Sequence, residues 1–236
     1  MSLLEITEHD GVWVLALARP PVNAIDITMV EAFHTEMTRA AATATCRAIV
    51  LTGQGRAFCA GVDVKKVPAY DAATLRRMVE LVNETFLVFY GVPKPTVAAV
   101  NGPAIGAGLV LALACDVRLA AVGAGPLGLT EITAGIPFPA APMIVVQHEL
   151  DPSVARDLVL SGRTFTAGAR GTPGVIDATY PADTLVAAAI ARAADDARLP
   201  AYGTVKQQLK SLAVARIRDV VTRGADPMLQ GWLRGG

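Results

Sequence analysis

The chain has 236 residues, 53% apolar and only 18% charged, and its 21 Lys plus Arg match its 21 Asp plus Glu for a net charge of zero. That length and apolar share can bury one large core. Without a net field or a run of one sign, nothing in the chain draws in nucleic acid or an anionic membrane, so any anion recognition has to be local. Cys46, Cys59 and Cys115 lie in apolar surroundings without C-x-x-C spacing and read as reduced thiols. His9, His34 and His148 stand apart from any ligand pattern, so no metal site is expected. The opening MSLLEITEHD has neither a basic segment nor a long apolar run, which argues against a signal peptide, and the reduced thiols lead us to expect a cytoplasmic protein.

In chain order, Leu3 to Thr7 and Val12 to Ala18 are short apolar or alternating runs around His9-Asp10-Gly11, the pattern of a β-hairpin. After the loop Arg19 to Ala24, Thr28 is a candidate cap for a helix with Met29, Phe33 and Met37 four residues apart. Arg47 to Thr52 predicts a strand, and Thr74 to Tyr90 a helix with Leu75, Met78, Val79, Val82, Phe86 and Phe89 on one face, stopped by Gly91 to Pro95. Further on, Val117 to Val122 and Leu127 to Leu129 read as strands, followed by a Pro-punctuated loop over the site. Helices are expected at Met143 to Leu150, Ser153 to Ser161, Ala182 to Ala197 and Ala201 to Arg223, with Val175 to Asp177 a short buried piece. Asp226-Pro227 opens a last short helix carrying Met228, Leu229 and Trp232.

The centre of this order is Thr96 to Asp116, where a β-branched run meets Asn101-Gly102-Pro103 and then a small-residue segment that starts a helix. Twenty uncharged positions from Thr96 to Cys115 suit a membrane span by hydropathy, but Asn101, Gly102 and Pro103 would break it and expose backbone polar groups to lipid. Gly106, Ala107 and Gly108 instead let a ligand approach the main chain, where the free N–H groups of a starting helix favour an oxyanion. A second set of small residues follows a strand at Cys59-Ala60-Gly61. Either turn alone could serve only close packing of a helix on a strand.

Taken together, R-A-F-C-A-G-V-D-V-K at Arg56 to Lys65, A-V-N-G-P-A-I-G-A-G at Ala99 to Gly108 and A-C-D-V-R at Ala114 to Arg118 closely resemble the crotonase (enoyl-CoA hydratase/isomerase) superfamily, over most of the chain. The resemblance implies an α/β fold, a spiral of repeated ββα turns over residues 1–180, with a helical C-terminal region, 181–236, through which chains form a homotrimer or a dimer of trimers. It implies an acyl-CoA thioester as substrate and no cofactor, and an oxyanion hole formed by the backbone N–H groups of Val62 and Ala107. Ala24, Ala60, Gly61, Asp63, Gly106, Val110 and Phe138 would line the substrate.

Hydratases of this family set two glutamates over the enoyl group, and the matching positions here are Val110 and Glu131. An apolar Val110 cannot activate water. The phrase G-L-T-E-I around Glu131 resembles the G-L-N-E segment of the Δ3,Δ2-enoyl-CoA isomerases, which work with one glutamate, so the resemblance implies an isomerase with Glu131 as proton shuttle. A pKa raised by Ile132, Ile136, Pro137 and Phe138 would suit that task. Read without the resemblance, Glu131 is a surface or ion-paired residue, for instance on Arg118. Enoyl-CoA hydratase is the alternative activity, and a catalytically silent acyl-CoA binder the alternative of another class. The G-x-G-x-x-G at Gly123 to Gly128 is interrupted by Pro126 and reads as a turn, and neither a phosphate-binding loop nor a nucleophile elbow is present. Gly168, Gly171 and Pro173 depart from the family by weakening a helix expected within Thr166 to Asp177. Lys65, Lys66 and Lys206 are each candidates for the CoA phosphates, and spacing does not choose among them.

Overall fold

A computed structural model describes residues 2–168 and 174–231. Strands β1 (Leu4–His9) and β2 (Val12–Leu17) form the expected hairpin, pairing Leu4 with Leu17 and His9 with Val12. Its two turn residues, Asp10 and Gly11, have φ of 48° and 87°, the left-handed pair that matches strand twist in a two-residue hairpin. All six residues of β2 are buried, because the strand lies inside a sheet covered on both faces rather than on a half-exposed one.

The chain then repeats one unit. Helix α1 (Ile27–Ala42) packs Met29, Phe33 and Met37 inward. Its cap is Asp26, whose carboxylate accepts the Met29 N–H at 2.9 Å, while Thr28, the expected cap, donates its hydroxyl to Asp26 at 2.7 Å. Strand β3 (Ala48–Gly53) follows, then helix α2 (Ala72–Gly91), capped by Asp71. Strand β4 (Thr96–Val100) leads through the short β5 (Ala104–Ile105) into helix α3 (Ala107–Ala114), and β6 (Val117–Ala121) through β7 (Leu127–Gly128) into α4 (Glu131–Ala134) and α5 (Ala140–Glu149). Helix α6 (Pro152–Ser161), strands β8 (Thr164–Phe165) and β9 (Ala178–Tyr180), and helices α7 (Leu185–Asp196), α8 (Tyr202–Arg223) and α9 (Met228–Gly231) complete the order. Gly171, Pro173 and Trp232 lie outside the described residues.

One sheet runs β1-β2-β3-β4-β6-β9, parallel from β2 onward, and a second runs β5-β7-β8. Single parallel bridges, Ile25 to Val62 and Cys59 to Ala104, extend the second layer back across the earlier turns. Each turn therefore gives one strand to the main sheet, one short extended piece to the second layer and one helix, which is a spiral of ββα units. Strands β8 and β9 were not expected; with two and three residues they offer no periodicity to read.

The residues after 181 share the core of those before. Leu185, Ala189 and Ala193 of α7 and Ala213 and Ile217 of α8 belong to one apolar cluster with the strands, and α7 lies against β2, β3, β4 and β6. Among the described residues, no helix is long and apolar enough to cross a membrane.

Candidate active site

The second layer brings the two glycine turns together. Gly61 has φ +79°, and a Cβ there would lie 2.5 Å from the Ile105 carbonyl oxygen and 3.5 Å from the Ala107 nitrogen, so only glycine lets these two stretches of main chain meet. At Val62 the ladder to Ile25 runs through its neighbours: the Ile25 N–H donates to Gly61 O at 2.7 Å and the Asp63 N–H to Ile25 O at 2.8 Å. The N–H of Val62 itself therefore faces away from that ladder. Gly106, at φ +55°, caps α3 and donates its N–H to Gly128 O at 2.8 Å. Ala107 is the first residue of the helix, where N–H groups have no acceptor within the helix and the dipole favours negative charge.

Glu131 enters from the other side. It opens α4 directly after β7, and its carboxylate covers Gly106, where a Cβ would lie 3.1 Å from Oε1. Its Oε2 is buried and has no hydrogen-bond partner among the described residues. Burial pushes its pKa up to about 7, since withdrawal from water penalises the charged form. The alternative partner is engaged elsewhere, because Arg118 pairs with Glu149 at 3.2 Å and Asp177 at 3.5 Å.

Val62, Ala107, Val110, Glu131 and Phe138 line one cavity of about 90 Å³. Its walls are Met29, Val30 and Phe33 of α1, Leu75, Met78, Val79, Val82 and Phe86 of α2, the loop Ile136 to Pro139, and Met228 of α9. Among the lining residues only Glu131 and Thr85 have polar side chains, and the Thr85 hydroxyl donates to Leu81 O at 2.6 Å. The cavity thus pairs one carboxylate of raised pKa with hydrocarbon walls. The sequence places Ile136, Pro137 and Phe138 beside Glu131 but does not reach the helical walls: the spacing of Met29 and Phe33, or of Met78 and Phe86, signals a buried helix face without telling core from cavity.

Other candidates stand outside the lining. Ala24 accepts Arg19 Nη1 through its carbonyl at 2.8 Å, and the Ala60 N–H donates to Val22 O at 2.9 Å, so both tie the loops beneath the cavity. Gly61 and Gly106 act through main-chain approach. Asp63 accepts Arg19 Nη2 at 2.7 Å and the N–H groups of Lys65 and Lys66 at 3.2 and 3.1 Å. Arg19 holds its carboxyl below the usual carboxylate range, and the side chain closes a turn rather than facing the cavity. Ile132, expected around Glu131, is 52% exposed and outside the lining. Of the three lysines, Lys206 is buried and donates to Asp116 at 2.7 Å, and Lys66 pairs with Asp26 at 2.6 Å, whereas Lys65 makes no ion pair among the described residues.

A spiral of ββα turns whose second layer sets two main-chain N–H groups beside a cavity is the crotonase fold. A crystal structure of enoyl-CoA hydratase EchA3 from Mycobacterium ulcerans matches with a TM-score of 0.84 at 26% identity, covering 94% of this chain and 98% of that one. The apo structure of an enoyl-CoA isomerase from Mycobacterium tuberculosis matches equally, with a TM-score of 0.84 at 25% identity over 94% and 98% of the two chains. The sequence model of the enoyl-CoA hydratase/isomerase family matches residues 7–226. A 2,3-dehydroadipyl-CoA hydratase of Escherichia coli is 34% identical over 200 residues, 84% of this chain and 77% of that protein. The chain belongs to the enoyl-CoA hydratase/isomerase family.

Proposed function

We propose that this chain is a Δ3,Δ2-enoyl-CoA isomerase in which Glu131 is the only base. The observation that carries the reading is the unpartnered Glu131 Oε2 in a cavity where Val110, at the other glutamate position of the hydratases, is fully buried hydrocarbon. One carboxylate suffices for the reaction. Glu131 takes a proton from C2 of a 3-enoyl thioester, and the C2–H electron pair delocalises onto the thioester oxygen, which the N–H groups of Val62 and Ala107 hold. The same carboxyl returns the proton to C4 as the double bond settles between C2 and C3, leaving the enzyme unchanged. The substrate brings its own CoA, and the scheme needs no further cofactor.

The hydratase name of the Escherichia coli relative favours a second reading, water addition to a 2-enoyl thioester. With 3-enoyl-CoA and trans-2-enoyl-CoA offered separately and the products identified, the isomerase reading predicts that the first is converted and the second is hydrated slowly or not at all. Fast hydration without isomerisation contradicts it. The same reading includes assembly as a homotrimer or a dimer of trimers. Support comes from Val205, Leu209 and Leu212 on one face of α8, 55%, 71% and 79% exposed, a stripe of a kind that marks protein contacts. A sedimenting mass of a single chain contradicts that part.

A further inference from the structure

Asp226, just after α8, is 2% exposed and bonded on both oxygens. Its Oδ2 accepts Asn83 Nδ2 of α2 at 2.7 Å and the Ala140 N–H at the start of α5 at 2.8 Å, and its Oδ1 accepts the Met228 N–H at 2.8 Å. Asn83, 3% exposed, uses its own oxygen to accept the Ala141 N–H at 2.9 Å. Helix α5 has no side-chain cap of its own, since Pro139 precedes it, so the Asn83–Asp226 pair fills that role from two distant parts of the chain. The consequence is positional. One buried carboxylate fixes α9, the start of α5 and the middle of α2 to each other, and the elements it joins all border the cavity.

Met228 is what α9 presents there. With Leu229 it packs on Val79 of α2 and beside Ile136 of the loop that follows Glu131, and it is the part of α9 that lines the cavity. An unbranched thioether fills such a space without fixing its shape tightly. We infer that Met228 is the stop for the acyl chain and sets the chain length this protein accepts, and that Asp226 is the positioning residue that holds the stop in place. This rests on the acyl-CoA reading given above, but not on which reaction Glu131 performs.

The test therefore reads binding. Saturated acyl-CoA thioesters of even length from four to sixteen carbons, which cannot isomerise, are titrated calorimetrically into the full chain. Affinity is expected to rise by a few-fold per buried carbon until the chain meets the stop, then level or fall. Met228→Ala should move that break about two carbons longer and tighten the first excluded chain on the order of tenfold, while Met228→Phe moves the break shorter. Asp226→Ala should shift the break in the same direction as Met228→Ala, and the double variant no further than Met228→Ala alone, because both act through one side chain. Asp226→Asn, which keeps one acceptor oxygen, takes its place if the alanine variant does not fold, and an intermediate break is then expected. An unchanged break in both Met228 variants overturns the stop, and additive shifts overturn the role of Asp226. A wild-type chain that binds no member of the series overturns the acyl-CoA reading and this inference with it, whereas a length-dependent series in a protein that does not isomerise 3-enoyl-CoA leaves the stop standing.

Discussion

Glu131 pays for its position in stability. Its carboxyl moves from an ordinary 4.5 to about 7 on folding, so between those values the native state holds a proton that the unfolded chain has released. Stability is then lost as pH rises through that window, and the loss is complete above the folded value. The full effect is roughly 3–4 kcal/mol. Glu131→Gln should therefore be more stable than wild type by about that amount at pH 8 and equal to it near pH 4, as read by urea unfolding across the range. A pH-independent gap contradicts burial as the cause. At this scale the sequence reached the residue and the direction of its pKa shift, but not the surroundings of its carboxylate. The motif around Glu131 placed it near Val62 and Ala107, whereas Arg118, the partner offered without the resemblance, pairs with Glu149 and Asp177.

Between elements, glycines differ in what they allow. At Gly108 a side chain would overlap the Cys59 carbonyl oxygen, main chain that cannot step aside, so Gly108→Ala should push α3 from the second layer and cost roughly 2–4 kcal/mol. Gly91, the last residue of α2, is the control: a Cβ there meets only Val214 at 3.7 and 3.8 Å. Gly91→Ala should be neutral or stabilising by about 0.5–1 kcal/mol. Thermal or urea melts of the two variants check both, and equal effects contradict the close-approach account. Elements were legible where they are long. Periodicity located α1 and α2, and the ranges expected for α7 and α8 lie within a few residues of theirs, but the cap of α1 is Asp26 rather than Thr28, since a cap depends on side-chain direction as well as residue type. The second layer escaped notice as a layer, because its bridges at Ile25, Cys59 and Val62 are single residues.

For the molecule as a whole, the last third of the chain is bound to its middle by a buried ion cluster. Asp116 accepts Lys206 at 2.7 Å, Lys210 at 2.8 Å and the Tyr202 hydroxyl at 3.1 Å, while Lys206 also donates to Lys94 O at 2.8 Å. Burial pulls Lys206 down to about 8 against the pull of Asp116. Removing the shared anion leaves two ammonium groups in the interior, so Asp116→Asn should lower stability by about 3–5 kcal/mol, measured as the shift in urea midpoint at pH 7. A change below 1 kcal/mol contradicts the cluster's role in holding α8. Tyr202, Lys206 and Lys210 recur every four residues and so share one helix face. Without a partner in view that spacing reads as a solvated face, and a lysine read as a possible phosphate contact is in fact enclosed.

In the proposed isomerase one glutamate performs the chemistry and contributes little to holding the substrate. The direct measurement is kcat for 3-enoyl-CoA and Kd for an unreactive acyl-CoA on the same preparations of wild type and Glu131→Gln, since the amide keeps the shape of the side chain and loses its basicity. In the variant kcat is expected to fall by on the order of a hundredfold or more while Kd changes by less than about threefold. Retained turnover in Glu131→Gln, or lost binding with the fold intact, contradicts it.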